Sequence, residues 1–211
     1  MEVYELAEYT DPTASDVDGP TNASVGGLTL LDRVLQQWRV RKALTHIPLG
    51  ASVCDIGTYD GALFAVAGDR ISSGSIGIDP DLMPPRSVRT GIRFIKGHFP
   101  DVLGESERFQ AITALAVLEH IPVLSLHRLA QAVHDRLEPN GVFVATCPHP
   151  NVDRVLDVLT AVRLVRGQSI HQHYGLHPQT AAEIFCRSLV LERNERFQLG
   201  FNRLLVFRRS P

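Results

Sequence analysis

Residues 53–64 read VCDIGTYDGALF, an apolar run that ends in an acidic residue and passes through two glycines into a second apolar stretch. Residues 51–56 are predicted to form a β-strand, and residues 62–67 a helix. Between them, Gly57 and Gly61 would let the backbone turn sharply and approach a ligand closely. The stretch therefore predicts a strand, a glycine turn and a helix in succession.

The alternation of strands and helices continues on both sides of this stretch. A helix is predicted before it at residues 30–44, and another after it at residues 124–137. Further strands are predicted at residues 75–79, 92–95, 109–115 and 142–146, the last preceded by a turn at 139–141. Strands and helices that alternate at this spacing require a parallel sheet with helices on both faces.

The end of the chain follows a different pattern. Residues 189–197 and 203–207 are predicted to be two strands joined by only a few residues, so they form an antiparallel hairpin. The predicted fold is a doubly wound α/β domain, with a mostly parallel, seven-stranded, Rossmann-like sheet and an antiparallel C-terminal hairpin. This domain is expected to occupy residues 30–211.

Residues 1–29 are predicted to form an acidic N-terminal arm. Residues 1–32 contain seven acidic residues and neither Lys nor Arg. The arm is interpreted as a solvated tail, or as a segment that folds over a ligand site.

Composition narrows the class of protein. The chain has 211 residues, of which 44% are hydrophobic and 21% charged, which is enough to bury a full core and excludes a mainly disordered protein. Its net charge of −2 gives no basic field that would indicate a nucleic-acid partner. The longest apolar run is too short to span a bilayer, and the start lacks the pattern of a signal peptide. We therefore expect no membrane insertion. Three widely spaced cysteines suggest reduced thiols, which are typical of a cytoplasmic protein.

Two acidic residues end neighbouring strands of the predicted sheet. In an open parallel sheet, ligands bind beyond the carboxyl ends of the strands, where Asp55 and Asp79 are expected to lie. A carboxylate in the position of Asp79 accepts hydrogen bonds from both hydroxyls of a ribose. The glycine turn lacks the third glycine of a pyrophosphate-binding loop, and Asp55 directly precedes Ile56 and Gly57. This pattern disfavours a dinucleotide and favours a ligand with a cationic or zwitterionic group.

Four sequence blocks resemble the class I S-adenosylmethionine-dependent methyltransferases. Residues 53–64 resemble the first motif of that family, and residues 78–79 are similar to the second. Residues 109–121, FQAITALAVLEHI, resemble the block around the fourth strand that ends in Leu-Glu-His. Residues 136–142, RLEPNGV, resemble the turn before the fifth strand. The resemblance implies a Rossmann-like fold, S-adenosylmethionine as cofactor and a methyltransferase domain at residues 30–211.

The resemblance also assigns cofactor contacts by position. It implies that residues 57–61 wrap the methionine part, with Asp55 near its ammonium group, and that Asp79 holds the ribose. Residues 97–99 would lie along the adenine, and Leu115 beneath the cofactor. The implied cofactor-binding residues are Asp55, Gly57, Thr58, Tyr59, Gly61, Asp79, Pro80, His98, Phe99 and Leu115.

Three residues depart from the family pattern. The family often has glycine at the position of Tyr59, so the loop must be wider or the Tyr59 side chain must point away from the ligand. It often has an acid at the position of His98, which could accept a hydrogen bond from adenine only through an unprotonated ring nitrogen. Gln110 replaces the usual aspartate at the start of the fourth strand.

Histidines are the candidates for a general base, because an imidazole titrates near neutral pH. His173, in the histidine-rich segment 170–178, is the first candidate, and His120, directly after the fourth strand, is the second. Each could instead be structural, as could His149. A metal site in segment 170–178 is the alternative, but no cluster of Cys, Asp or Glu ligands lies nearby, and no metal is predicted.

These observations predict an S-adenosylmethionine-dependent methyltransferase that acts on a small molecule or on a saccharide or lipid biosynthetic intermediate, at a hydroxyl. The form of the loop at residues 58–61 is similar to that of members tied to saccharide biosynthesis. No nucleic-acid partner is expected, and the oligomeric state is left open. The alternatives are a cofactor-binding regulatory protein of the same fold without turnover, and an NAD-dependent oxidoreductase, which would need a phosphate-binding glycine turn.

Overall fold

The computed structural model describes residues 3–4, 30–83, 90–148 and 176–211. These residues form one mixed sheet with helices on both faces. Its strands are β1 (Val3–Tyr4), β2 (Val53–Ile56), β3 (Ile76–Asp79), β4 (Arg93–Lys96), β5 (Phe109–Leu115), β6 (Leu137–Pro148), β7 (Val190–Phe197) and β8 (Asn202–Arg208). The helices are α1 (Leu30–Leu44), α2 (Ala62–Ala67), α3 (Val123–Arg136) and α4 (Pro178–Phe185), with 3-10 turns at Gly68–Arg70, Leu118–His120 and Gln198–Gly200.

The strand order is β1-β4-β3-β2-β5-β6-β8-β7. The five strands from β4 to β6 in this order are parallel. β8 is antiparallel to β6, and it forms an antiparallel hairpin with β7. From β2 the chain builds outward to β3 and β4, and it then returns to add β5 and β6 on the other side of β2. The predicted doubly wound fold is therefore confirmed, and its topological switch lies at the carboxyl ends of β2 and β5.

Two features of the sheet differ from the prediction. The two-residue strand β1 pairs antiparallel with β4 and adds an eighth strand to the seven expected. The turn predicted at residues 139–141 lies inside β6, where Asn140 adopts a left-handed conformation with φ of 62°. β6 pairs with β5 on both sides of this irregularity, as a β-bulge allows, so the strand starts earlier than expected. Apart from β1, the predicted arm at 1–29 lies outside the described residues.

Strand side chains alternate between two buried layers. Cys54 and Ile56 pack with α3 and α4 on one face, while Val53 packs with α1 and α2 on the other. Phe143 stacks on Phe185 of α4, with ring centroids 4.8 Å apart. Within the described ranges, no helix is long and apolar enough to cross a membrane. The two layers hold the strands in register and so fix the side chains at their carboxyl ends.

Candidate active site

The glycine loop after β2 is anchored to the neighbouring strand. The backbone amides of Gly57 and Thr58 both donate hydrogen bonds to the carbonyl of Ile78, at 2.9 and 3.2 Å. Gly57 has a φ of +75°, and a Cβ at this position would overlap the Val117 side chain. Only glycine combines this backbone conformation with so close an approach, so the local fold requires it.

Tyr59 occupies the position where the family often has glycine. Its φ of 48° lies in the left-handed region, and its side chain is 42% exposed. Its backbone amide donates a 2.8 Å hydrogen bond to Asp79 Oδ2. The chain thus keeps a glycine-like backbone at this position, and the hydrogen bond to Asp79 offsets part of the strain.

Asp79 accepts backbone hydrogen bonds on both carboxylate oxygens. Oδ2 binds the Tyr59 amide and Oδ1 binds the Asp81 amide, each at 2.8 Å. Burial raises the pKa of Asp79, although these two hydrogen bonds and the charge of His98 lower it. Each carboxylate oxygen has a second lone pair, so Asp79 can hold the loop and still accept hydrogen bonds from a ligand.

Asp55 is buried at the carboxyl end of β2. The Thr113 hydroxyl of β5 donates a 2.6 Å hydrogen bond to Asp55 Oδ1. Burial raises the pKa of Asp55 to about 7, the charges of Asp79 and Asp60 add to this rise, and the hydrogen bond from Thr113 opposes it. Neighbouring buried carboxylates disfavour each other's ionisation, and a positively charged ligand would relieve this repulsion. The carboxylates of Asp55 and Asp79 therefore fit a ligand that carries the sulfonium and ammonium charges of S-adenosylmethionine.

The remaining predicted cofactor residues lie at, or beyond, the carboxyl ends of the parallel strands. Thr58 is buried against Gly77 of β3, and Gly61, with φ of 71°, precedes α2. His98 is close enough to Asp79 for its charge to act on that carboxylate. Pro80, which directly follows β3, is exposed. Phe99 follows β4 and Leu115 is the last residue of β5, and both are partly buried against the core layers.

Gln110 lies at the opposite end of β5 from this site. Its backbone amide and side-chain oxygen form hydrogen bonds with Ser52, both at 3.1 Å. These bonds tie the start of β5 to the residue preceding β2. The substitution of aspartate by Gln110 is therefore far from the carboxyl ends of the strands.

Of the histidines considered above as general bases or metal ligands, the structure describes His120 and His177 only. His120 is exposed on the 3-10 turn that follows β5, at the same edge as Asp55 and Asp79. His177 caps α4, because its Nδ1 accepts a 3.3 Å hydrogen bond from the Gln179 amide. His149, His171, His173 and Tyr174 lie outside the described residues. In the part of the chain that the structure describes, no group of three or more His, Cys, Asp or Glu could hold a metal ion.

Sequence reasoning assigned no role to several residues that shape the site. Thr113 interrupts an otherwise apolar strand, and the sheet register places it beside Asp55. This polar residue within an apolar strand was the one feature of the sequence that indicated a role for Thr113. Val117 closes over Gly57, and Glu119 in the next turn is 5% exposed. Burial raises the pKa of Glu119 to about 7, while the charge of Arg39 on α1 opposes the rise. No pattern along the sequence links Arg39 to Glu119.

Comparison with known proteins agrees with the observed fold. The family model described as a methyltransferase domain matches residues 28–184. Comparison with curated protein sequences finds no match.

Solved structures with a similar fold include three methyltransferases. Magnesium protoporphyrin IX methyltransferase from Synechocystis, with bound S-adenosylhomocysteine (SAH), gives a TM-score of 0.64 at 15% identity, covering 88% of this chain and 89% of that chain. An S-adenosylmethionine-dependent methyltransferase from Mesorhizobium loti gives 0.61 at 19% identity, covering 82% and 98%. The N-methyltransferase NodS from Bradyrhizobium japonicum, in complex with SAH, gives 0.57 at 16% identity, covering 86% and 89%.

Proposed function

Because the chain belongs to the methyltransferase-domain family, we propose that it transfers the methyl group of S-adenosylmethionine to a hydroxyl of a small molecule or of a saccharide or lipid biosynthetic intermediate. The observation that carries the cofactor assignment is the pair of buried carboxylates, Asp55 and Asp79, at the ends of adjacent parallel strands. The glycine loop between β2 and α2 lies beside both of them.

We infer the following contacts for the cofactor. Asp79 accepts hydrogen bonds from the ribose hydroxyls, and Asp55 attracts the ammonium group of the methionine part. Residues 57–61 follow the methionine part, and residues 98–99 follow the adenine. The proximity of His98 to Asp79 supports this order, because ribose and adenine are adjacent in the cofactor.

The chemistry divides between cofactor and protein. When bound, the cofactor supplies both the methyl group and its leaving group. The protein has to align the acceptor with the methyl carbon and receive the proton of the acceptor hydroxyl. We propose His173 as the base and His120 as the second candidate. The position of His120 at the carboxyl edge of the sheet supports the second assignment.

The acceptor class is inferred from charge and from the structural neighbours. A net charge of −2 gives no support for a nucleic-acid partner. One structural neighbour is a magnesium protoporphyrin IX methyltransferase, so the fold serves a small-molecule acceptor in that protein.

The three cysteines, Cys54, Cys147 and Cys186, are free thiols. Free thiols support a reducing compartment, and we propose that the protein works in the cytoplasm.

The test combines binding and transfer. We expect calorimetry to detect binding of both S-adenosylmethionine and SAH. We expect radiolabelled methyl groups to appear in at least one member of a panel of hydroxyl-bearing saccharide and lipid intermediates. Absence of binding would refute the cofactor site, and binding without transfer to any member would refute the proposed acceptor class.

A further inference from the structure

Among the described residues, five polar side-chain atoms are buried without a hydrogen-bond partner: Arg39 Nε, His46 Nε2, Thr58 Oγ1, Glu119 Oε2 and Asn202 Oδ1. Three of them, on Arg39, Glu119 and Asn202, belong to elements that meet near the carboxyl ends of β5 and β6. A buried polar atom without a partner costs about 1–3 kcal/mol, so native proteins rarely keep one without a reason. Three such atoms in one region indicate that a partner is missing there.

The three side chains come from different elements that meet in one place. Glu119 lies in the 3-10 turn Leu118–His120 that follows β5, and Arg39 lies on α1, which packs against β5 and β6. Their charges interact, yet no direct ion pair or hydrogen bond joins them in the described part of the chain. Two opposite charges that interact without a direct bond suit a group that can contact both.

Asn202 is connected to the same helix. It begins β8 opposite Pro148, the last residue of β6, and its Nδ2 donates a 2.6 Å hydrogen bond to Gln198 Oε1. Gln198 Nε2 in turn donates a 2.7 Å hydrogen bond to the carbonyl of Leu35, one helical turn before Arg39. The region is therefore bounded by α1 and by the ends of β5, β6 and β8.

Elsewhere α1 pairs its charges directly. Lys42, three residues after Arg39, forms a 2.6 Å ion pair with Glu195 of β7. This ion pair joins α1 to β7, outside the proposed cofactor site, and so has a purely structural role. Glu119 is 5% exposed, against 34% for the Glu195 side chain, and would gain more from such a pair, because an unpaired charge costs more when it is removed from water. Fold stability does not explain why Glu119 and Arg39 are left apart.

The region also adjoins the proposed cofactor loop. Val117, which closes over Gly57, lies two residues before Glu119. In an open parallel sheet the carboxyl ends of the strands border the ligand crevice, and β5 and β6 lie on the side of β2 away from the proposed ribose site at β3. The second substrate of a transfer reaction belongs on that side.

We propose that Arg39 and Glu119 bind the polar group of the methyl acceptor, and that this group carries a hydroxyl or amine next to a carboxylate or carbonyl. The hydroxyl or amine of the bound molecule donates a hydrogen bond to Glu119 Oε2. Its carboxylate or carbonyl oxygen accepts a hydrogen bond from Arg39 Nε. Asn202 Oδ1 offers a second acceptor beside them. This inference rests on the proposed function, because it assigns the second substrate of that reaction.

The test uses three simple probes with the SAH-saturated protein. Salicylate carries a hydroxyl next to a carboxylate, whereas benzoate and phenol each carry one of the two groups. Ligand-observed NMR titrations should show that salicylate binds about tenfold more tightly than either, the scale of one hydrogen bond to a charged group. In Glu119→Gln and in Arg39→Lys, which keeps the charge and loses Nε, this preference should disappear. In the control Glu195→Gln it should persist.

The outcomes separate this proposal from the proposed function. SAH affinity, measured by calorimetry, should be unchanged in all three variants, and thermal melting should show that each is folded. An equal affinity for the three probes, or a preference for salicylate that survives both substitutions, would overturn the subsite. A wild-type protein that binds no SAH would instead refute the proposed function, and this inference with it.

Discussion

Asp79 uses both of its carboxylate oxygens to fix the backbone around it. One oxygen holds the Tyr59 amide in the glycine loop, and the other holds the Asp81 amide that follows β3. The same side chain is proposed to hold the ribose, so it couples the shape of the loop to cofactor binding. Loss of this carboxylate should affect the affinity for the cofactor through both effects.

Replacing Asp79 with alanine is therefore expected to weaken SAH binding by about 1–3 kcal/mol, the cost of leaving buried hydroxyl and amide groups unpaired. Isothermal titration calorimetry measures the difference directly. Asp81→Ala is the matched control, because the Asp81 side chain is exposed and only its backbone amide contacts Asp79. Equal affinities of the wild type and Asp79→Ala would refute the ribose assignment.

Asp55 leads to a pH-dependent prediction. Its pKa is raised to about 7, so below that pH the carboxyl group is largely protonated and attracts a cation poorly. Affinity for S-adenosylmethionine should fall as pH decreases from 8 to 6, by up to about tenfold per unit below the pKa. Calorimetry at several pH values tests this, with Asp55→Asn as the comparison. The variant should bind more weakly at pH 8 and depend less on pH, and a parallel slope in both proteins would contradict the assignment.

At the scale of single residues, the sequence identified the groups that end strands but not the partners of those groups. Asp55, Gly57 and Asp79 were predicted because a position at a strand end can be read along the chain. Thr113 was not assigned as the partner of Asp55, because 58 positions separate them and only the register of β2 against β5 brings them together. The electrostatic interaction between Arg39 and Glu119 depends on how α1 packs, which residue patterns do not specify.

At the scale of elements, periodicity predicted helices and strands well and their interruptions poorly. The helix at 62–67 and the strand at 109–115 have the predicted bounds. The Pro-Asn-Gly segment at 139–141 favours a turn locally, yet pairing with β5 on both sides keeps it within β6. Long-range pairing outweighed the local preference, and Asn140 accommodates this with a left-handed backbone.

Gly57 and Gly50 provide a matched pair for testing the loop. Their φ angles are +75° and +73°, but a Cβ at Gly57 would overlap Val117, whereas nothing lies within 4 Å of one at Gly50. Gly50→Ala should cost only the backbone strain, about 1 kcal/mol. Gly57→Ala should cost about 1–3 kcal/mol more, because the added methyl group overpacks the contact with Val117.

Urea denaturation measures both changes as free energies of unfolding. In addition, Val117→Ala should reduce the extra cost of Gly57→Ala when the two substitutions are combined. Equal destabilisation by Gly50→Ala and Gly57→Ala would show that Val117 does not constrain the loop.

At the scale of the whole molecule, acidic groups are concentrated and buried at one edge of the sheet. Asp55, Asp79 and Glu119 all follow or end parallel strands there, and burial raises the pKa of each. The net charge of −2, known from composition, gave no sign of this arrangement. Composition reports the sum of the charges, whereas function depends on which of them the fold removes from water.

This arrangement predicts how the stability of the ligand-free protein depends on pH. In the unfolded chain, Asp55 and Glu119 titrate near their ordinary pKa values of 3.8 and 4.5, whereas in the folded protein both have a pKa of about 7. The folded state therefore binds protons more tightly, and the stability that these groups contribute is present below about pH 4 and lost as pH rises toward 7. The loss is on the order of 1 kcal/mol per pH unit for each group.

His46 acts in the opposite direction, because burial lowers its pKa and favours the folded state at higher pH. The comparison must therefore be made between the wild type and Asp55→Asn/Glu119→Gln, in which His46 is unchanged and the two carboxyl groups no longer titrate. The free energy of unfolding of the wild type, minus that of the double variant, should decrease from pH 5 to pH 7 and then level off. Urea denaturation at half-unit intervals of pH measures this difference, and a difference that stayed constant or increased would mean that the two carboxyl groups titrate normally in the folded protein.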